Sequence, residues 1–193
     1  MYGMVNKAVE DMVCSTYDED TWVRIKEAAG VDVDVFISNE AYPDAVTYQL
    51  VAAAAEVLDL PTAKVLEAFG GHWVRHTAQE GYGDLLEAGG SSLPEFLSNL
   101  PGFHARVALI YPDLTPPTFR VSDVTDTSLH LHYYSHRAGL QPFVTGIVKG
   151  LAAMFATEAH TTALHLRELG ADHDEFLVHW TVAPASQQAV GVL

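Results

Sequence analysis

Residues 129–137 constrain the fold of this chain more than any other stretch. They read Leu-His-Leu-His-Tyr-Tyr-Ser-His-Arg, an alternation that is typical of a β-strand with one buried face. Alternate side chains of a strand share a face, so one face carries Leu129, Leu131, Tyr133, Ser135 and Arg137. The opposite face carries histidines and a tyrosine. The chain must therefore contain a sheet. The first face of this strand must contact apolar groups at its Leu129 end and polar groups at its Arg137 end.

The polar end of that face carries a phenol, a hydroxyl and a guanidinium in line. Tyr133, Ser135 and Arg137 together span about 13 Å at strand spacing. Together they can hold two carboxylates that hang from one flat apolar body, because the planar fork of arginine binds a carboxylate through two hydrogen bonds. Haem, with its two propionates on one edge, is such a body. The alternative is an ordinary half-exposed strand that binds no ligand.

A single histidine lies in an apolar run just after a Pro-Gly pair. Residues 98–107 read Ser-Asn-Leu-Pro-Gly-Phe-His-Ala-Arg-Val. An imidazole in apolar surroundings suits the axial position of a haem iron, which makes His104 a candidate ligand. A lone histidine on an apolar face is also typical of a core residue that binds nothing, and this segment alone leaves both interpretations open.

Two further histidine groups could bind a metal without porphyrin. His130, His132 and His136 share the second face of the strand, but no carboxylate lies at regular spacing on that face. His72 and His76 lie one helical turn apart, but the glutamate of a His-Glu-x-x-His zinc enzyme is missing between them. For both groups, histidines without a metal are the more common interpretation.

Composition excludes several classes of function. The formal net charge is −15 with only 10 Lys and Arg, so DNA and anionic membrane surfaces would be repelled. Cys14 is the single cysteine, which rules out an intrachain disulfide and is consistent with the reducing cytoplasm. No signal peptide and no run of about 20 apolar residues is found, so we expect a cytoplasmic chain without membrane or nucleic-acid partners.

Spacing and capping residues predict helices in the first half of the chain. An Asp20 cap, an Asp44 cap and the capping box at Ser92 are their start signals. Residues 31–38 are expected to be an extended connector, Gly81-Tyr82-Gly83 a turn, and Pro101-Gly102 a helix break. The predicted helices are 3–14, 20–29, 44–58, 61–79, 84–88, 92–100 and a segment from about 103 to 111 that carries His104.

The second half is predicted to be mixed. Strands are expected at 119–121, 128–137, 161–169 and 175–182, and a helix at 140–157. Neighbouring strands with short connections are antiparallel as a rule. The expected fold class is α+β in one domain over residues 1–193, with an antiparallel sheet of about four strands and haem buried between helices and sheet.

These residues together resemble a known family. The chain has a histidine after an Asn-Leu helix, then Pro116-Pro117, and then Tyr133-x-Ser135-x-Arg137. It also has Met-Tyr-Gly at the start, Glu-Gly-Tyr-Gly at 80–83, Ser-Leu-Pro-Glu-Phe at 92–96 and Asp-His-Asp at 172–174. The combination is similar to the H-NOX family, the haem-nitric oxide/oxygen-binding domains related to the haem domain of soluble guanylate cyclase.

The resemblance implies a role for each site residue. His104 matches the proximal ligand of haem b, and Tyr133, Ser135 and Arg137 match the trio that binds its propionates. Pro117 matches a proline that presses on the porphyrin and distorts it. The resemblance also implies a helical subdomain at about 1–60 and a haem-ligating subdomain at about 61–185. The cysteine-rich zinc site of some bacterial members is not expected, because no cysteine follows Arg137.

The distal side of the haem is expected to select the gas. Oxygen-binding members resemble one another in carrying a distal tyrosine, and Phe143 occupies that position here. Loss of such a hydrogen bond costs about 1.5 to 3 kcal/mol, so nitric oxide and CO should bind and O₂ only weakly. Trp73 matches a tryptophan near the distal pocket in some members. Its indole N–H could donate instead, or it could be a plain core aromatic.

The resemblance therefore implies a sensor without enzymatic activity. Nitric oxide would weaken the bond between iron and His104 and free the His104 helix to shift, and a histidine kinase or a diguanylate cyclase would respond in trans. Two alternatives remain: a haem carrier or scavenger that uses the same pocket without signalling, and a metal enzyme built on the histidine face, for which the sequence supplies no general base.

Overall fold

The computed structural model describes residues 1–111 and 115–181, without the side chains of residues 79–82. Helices dominate the first part of the chain, and a four-stranded sheet dominates the second. The fold is α+β, as predicted. The bounds of the helices are α1 Gly3–Thr16, α2 Glu19–Ala29, α3 Asp44–Val57, α4 Thr62–His72, α5 Gln79–Glu87, α6 Leu93–Ile110 and α7 Gln141–Met154.

The sheet is antiparallel throughout, with strand order β1-β2-β4-β3. Its strands are β1 Thr118–Ser122, β2 Ser128–Tyr134, β3 Ala159–His165 and β4 Asp174–Trp180. β2 alternates buried and half-buried residues along its whole length, which confirms the two faces inferred from the sequence. The buried face packs against α6 and α7 through Leu131, Phe176, Leu97 and Val148. β2 ends at Tyr134, so Ser135 and Arg137 lie just beyond the strand rather than in it.

A second cluster of buried side chains fills the space among α1 to α4. It contains Val9, Ile25, Phe36, Leu50 and Phe69, all of them nearly inaccessible to solvent. Residues 31–38 are neither helix nor strand, which confirms the predicted connector, and the buried ring of Phe36 anchors it. Trp73 and Phe143 pack against this cluster.

Two predicted interruptions of helices are wrong. α6 runs from Leu93 to Ile110 straight through Pro101. Proline removes one N–H from the helix ladder, but Phe96, Leu97, Leu100 and Val107 of α6 are all buried, and this packing outweighs the local penalty. The predicted turn at residues 81–83 is instead part of α5. The capping box is confirmed in part, since the Ser92 hydroxyl accepts from the Glu95 N–H.

Two predicted start signals are also wrong, and one predicted helix is divided. The cap of α2 is Asp18, whose side chain accepts from the Thr21 N–H at 2.7 Å, and not Asp20. Asp44 does not cap α3. The helix predicted at 61–79 becomes a π-helical turn at Trp73–Ala78, between α4 and α5. Such turns are frequent at functional sites.

The two helices α4 and α7 pack with their backbones nearly in contact. A Cβ added at Gly146 would lie 2.0 Å from the Glu67 carbonyl oxygen, and one added at Gly70 would lie 2.2 Å from that of Phe143. Only glycine permits this approach. α7 is thereby held against α4, and Phe143 of α7 is held against Phe69 of α4 at a ring distance of 5.1 Å.

We expect Gly146→Ala to lower the free energy of unfolding by about 2 to 3 kcal/mol, because the helices must separate to admit the methyl group. Gly102→Ala is the matched control. It lies inside α6 with nothing within 4 Å of an added Cβ, so alanine there should be neutral or stabilising. Urea unfolding followed by circular dichroism measures both. Equal effects of the two substitutions would contradict the close packing.

Candidate functional site

A cavity lies between the helices and the inner face of the sheet. It has a volume of about 250 Å³, and most of the side chains on its walls are apolar. The walls come from all the helices except α2, from β1 and β2, from the π-helical turn and from residues 115–117. The polar groups on the walls include Ser135, Arg137 and the amino-terminal residue. The Arg137 guanidinium and the amino terminus both donate to Asp44. The cavity is thus apolar inside and charged at one edge.

All seven residues that the sequence analysis assigns to the haem site lie on the walls of this one cavity. They come from five places in the chain that are as much as 70 residues apart, and only the fold brings them together. The residues are His104, Pro117, Tyr133, Ser135, Arg137, Phe143 and Trp73.

His104 reaches the cavity from the middle of α6. Its ring stacks on Phe119 at 5.5 Å between centroids and meets the edge of Phe103 at 5.8 Å. Burial lowers the pKa of His104 to about 4, so the ring is neutral at pH 7 and keeps a free nitrogen lone pair. Its Nδ1 is buried without a hydrogen-bond partner among the described residues. Buried polar atoms almost always have a partner, so the unpaired Nδ1 is compatible with a ring that binds a ligand.

Tyr133, Ser135 and Arg137 lie along one edge of the cavity. Burial raises the pKa of Tyr133, whose hydroxyl also hydrogen-bonds with Ser135. The Ser135 hydroxyl accepts from the Arg137 N–H at 3.1 Å, which fixes the chain just after β2. The Arg137 side chain donates to the Thr115 carbonyl at 3.1 Å, and so it joins the end of β2 to the Pro116-Pro117 segment.

Asp44 is the site residue that the sequence analysis missed. The Arg137 Nε donates to its Oδ2 at 2.8 Å, and the amino terminus of Met1 donates to its Oδ1 at 2.6 Å. Burial alone would raise the pKa of Asp44, but these two positive partners outweigh it and the pKa is lowered. Asp44 and Arg137 are 93 residues apart, so no local pattern could have paired them.

Phe143 and Trp73 form an aromatic wall with Phe69. Phe69 meets Trp73 edge to face at 6.2 Å between ring centroids, and it meets Phe143 at 5.1 Å. Trp73 is the first residue of the π-helical turn. Because Phe143 has no polar atom, Trp73 is the member of this wall that can donate a hydrogen bond.

The histidine groups do not assemble as the sequence suggested. His136 turns towards Asp44, 3.9 Å away, while His130 bonds to Glu175 at 2.6 Å. The rings of His72 and His76 stack at 4.4 Å, and the pKa of His72 falls to about 4, mainly through burial and secondly through the charge of His76. Within the described part of the chain, none of these four histidines belongs to a group of three or more side chains placed to bind a metal.

The residues of the cavity fit a haem. An apolar interior suits the porphyrin, a neutral imidazole with an unpaired buried nitrogen suits its iron, and a hydroxyl, a phenol and a guanidinium at one edge suit two carboxylates. These three requirements are met by different elements of the fold around the same cavity.

We expect Asp44→Asn to lower the free energy of unfolding by about 1 to 2 kcal/mol at pH 7, since Asp44 is partly exposed and its ion pairs are partly screened. A carboxylate whose pKa is lower in the folded than in the unfolded protein stabilises the fold fully at pH values above its unfolded pKa. This stabilisation is lost as the pH falls through the folded-state pKa. The difference between wild type and variant should therefore begin to fall below the ordinary value of 3.8 and vanish only below the lower pKa of the folded state.

Urea titrations at several pH values measure this difference. Asp32→Asn is the control, because Asp32 is exposed and its substitution should change neither stability nor its pH dependence. A difference for Asp44→Asn that is as large at pH 2 as at pH 7 would contradict the ion pair.

A sequence model of one protein family matches most of the chain. The family is described as Haem-NO-binding, and the match covers residues 2–163. That range contains His104, Asp44, Phe143, Trp73 and the residues from Pro117 to Arg137 that line the cavity. The family domain is a sensor domain and not a catalytic one, so the matched residues are those of a gas-binding module.

Several proteins and solved structures are similar to the chain. "Soluble guanylate cyclase gcy-32" of Caenorhabditis elegans is 32% identical over 79% of this chain and 23% of its own length. "Guanylate cyclase soluble subunit beta-2" of Rattus norvegicus is 35% identical over 54% of this chain and 15% of its own length. The chain thus spans about a quarter or less of the length of these relatives.

The fold is that of solved H-NOX structures. A crystal structure of an H-NOX protein from S. oneidensis in the Fe(II)NO ligation state has a TM-score of 0.85 and 21% identity, over 94% of this chain and 100% of that one. A crystal structure of Fe(II) unliganded H-NOX protein from K. algicida has a TM-score of 0.83 and 22% identity, over 95% of this chain and 98% of that one. With the family match and the cavity, these likenesses establish that the chain belongs to the Haem-NO-binding (H-NOX) family of haem-based gas-sensor domains.

Proposed function

We propose that this chain binds haem b in its cavity and senses nitric oxide and CO, with O₂ bound weakly or not at all. The observation that supports this most directly is His104, a neutral imidazole with a buried, unpaired nitrogen on the wall of an apolar cavity. When bound, the haem supplies a ferrous iron to which a diatomic gas can attach. The residues of the chain would hold, orient and shield that iron.

His104 would be the proximal ligand. Its low pKa keeps the ring unprotonated at any pH above about 5, so that protons do not compete for its lone pair. Phe103 and Phe119 hold the ring from two sides, which limits its rotation and favours one orientation towards the cavity. Pro117 would press on the porphyrin from the loop that Arg137 binds through the Thr115 carbonyl.

Tyr133, Ser135 and Arg137 would bind the propionates. Arg137 is held by Asp44 through Nε and Nη2, so its guanidinium is oriented before any haem arrives. This orientation lowers the entropy cost of binding. The Asp44 carboxylate also balances part of the positive charge of Arg137 and the amino terminus, and the two cations leave a net positive edge for two carboxylates.

Phe143 and Trp73 would form the distal wall and set the choice of gas. Bound O₂ is strongly polarised and requires a hydrogen-bond donor, whereas nitric oxide and CO require little. Phe143 offers no donor and packs tightly on Phe69. This supports a pocket in which O₂ is disfavoured, with the Trp73 indole as a group that could partly restore O₂ binding.

The proposed signal is the release of His104 when nitric oxide binds. His104 lies in the middle of α6, and α6 packs against β1. A released His104 would let α6 shift relative to the sheet, and such a shift signals only if it biases a two-state element. The partner we propose is a histidine kinase or a diguanylate cyclase acting in trans. In the cyclases compared above, most of the length lies outside the matched domain.

We also propose a single domain over residues 1–193, with subdomains at about 1–60 and 61–185, in the cytoplasm. The two clusters of buried side chains support a division into two parts, with Val65, Leu66 and Phe69 of α4 joining the cluster of the first part. No helix in the described part of the chain is long and apolar enough to cross a membrane.

His104→Gly should remove the proximal ligand. We expect purified protein to show a haem Soret band, and the glycine variant to lose it or to keep it only with added imidazole. Ala105→Gly is the matched control, because it places the same helix-weakening residue at the neighbouring, exposed position. Absorption spectra of the reduced proteins with and without nitric oxide measure the result. Full haem content in His104→Gly without imidazole would show that another residue binds the iron.

Phe143→Tyr should raise O₂ affinity by about tenfold to a hundredfold, because a phenol would donate to bound O₂. Phe143→Leu removes the ring without adding a donor and should leave O₂ binding weak. Spectroscopic O₂ titration of the ferrous protein measures both. If the tyrosine variant gains nothing, Trp73→Phe shows whether the indole already donates. No change in either variant would place residue 143 outside the distal pocket.

A further inference from the structure

The outer face of the sheet, opposite the haem cavity, carries a compact group of histidines and carboxylates. His132 on β2 and Glu175 on β4 are direct neighbours in the register, and His173 lies just before β4. One nitrogen from each histidine and one carboxylate oxygen of Glu175 all lie within 4.8 Å of one another. The haem proposal uses none of these three residues.

The hydrogen bonds of Ser122 determine which nitrogen of His132 carries a proton. The Ser122 hydroxyl donates its single hydrogen to the Asp123 carboxylate at 2.8 Å. Its oxygen must therefore accept from His132 Nε2, which lies 2.8 Å away. In a neutral ring the proton is then on Nε2, and Nδ1 presents a bare lone pair.

The same reasoning applies to His173. Its Nδ1 lies 2.6 Å from the Asp172 carboxylate, which can only accept, so the proton of a neutral ring is on Nδ1 and Nε2 is bare. His132 Nδ1 and His173 Nε2 face each other at 2.8 Å. Two lone pairs repel at that distance, so this arrangement requires a positive species between the rings, either a proton or a metal ion.

The surroundings favour a metal ion. Zinc takes imidazole nitrogens at about 2.0 to 2.1 Å in a tetrahedral site, which places two ligand nitrogens about 3.3 Å apart, so the rings need to separate only slightly. Metal-binding histidines typically donate their second N–H to a carboxylate or another acceptor. Here His173 does so to Asp172 and His132 to Ser122. Stacking on Tyr134 at 4.3 Å further orients His173.

Glu175 supplies the negative charge that the site needs. His130 holds its Oε1 at 2.6 Å, and His165 lies 3.6 Å from its Oε2. Its carboxylate is mostly buried, with 14% of the side chain exposed. Two imidazoles and one carboxylate leave a fourth position for water, which is a common zinc arrangement.

We propose that His132, His173 and Glu175 form a binding site for a divalent transition-metal ion, with Zn²⁺ as the ion that fits its donor set. The site differs from a cysteine-rich one, since the single cysteine of the chain, Cys14, lies in α1. The ion would link the segment before β4 to β2. Its ligand His132 is the neighbour of Tyr133 in β2 and lies on the opposite face of the sheet. The site stands independently of haem binding.

Zinc binding to untagged protein tests the proposal. The purified protein is stripped with a chelator and titrated with Zn²⁺ against a chromophoric zinc indicator, and bound metal is counted by elemental analysis. We expect one tight equivalent per chain, and a rise in melting temperature when zinc is present in excess. No saturable uptake would overturn the proposal.

Variants locate the site. His132→Ala, His173→Ala and Glu175→Gln should each weaken zinc binding by about a hundredfold or more, and Asp172→Asn by about tenfold to a hundredfold. His179→Ala is the control, because His179 lies on the same face of β4, is exposed, and pairs with His160 instead. Unchanged circular dichroism and haem content show that each variant is folded. Equal loss in His179→Ala, or none in the ligand variants, would overturn the assignment.

Discussion

The ionic contact of Asp44 with Arg137 and the amino terminus connects the parts of the molecule that surround the cavity. Asp44 begins α3, Arg137 follows β2, and the amino terminus precedes α1. Arg137 also binds the Thr115 carbonyl, so the loop before β1 joins the same network. Removal of one partner leaves the others with unbalanced charge, and because the Asp44 side chain is 34% exposed, solvent screens part of that cost.

The cavity depends equally on the close contact of α4 and α7. The glycines at that contact hold the aromatic wall of Phe69 and Phe143 in a fixed position. The opposite wall comes from α6, whose buried residues pack on the sheet. The cavity therefore has one wall of two tightly packed helices and another that carries the histidine. This asymmetry suits a sensor in which the proximal helix moves while the distal wall stays in place.

Local sequence signals were reliable where local physics decides the structure. The alternation in residues 129–137 correctly indicated a strand with two unlike faces. The local sequence signals failed where tertiary packing overrides the local preference for a helix break or turn. Pro101 stays inside α6 because the helix buries one face on both sides of it, and residues 81–83 remain helical despite two glycines. Asp44 was assigned to a helix cap because aspartate before a helix usually caps it, whereas its true partners are distant in sequence.

The sequence by itself determined the α+β class, the two faces of β2, the family and the choice of candidate residues, because these depend on periodicity and residue type. Only the tertiary structure brought those candidates to one cavity and paired Asp44 with Arg137 across 93 positions. It also set His132 against His173 across 41 positions. Contacts of this kind depend on strand register and helix packing, which a linear pattern does not record.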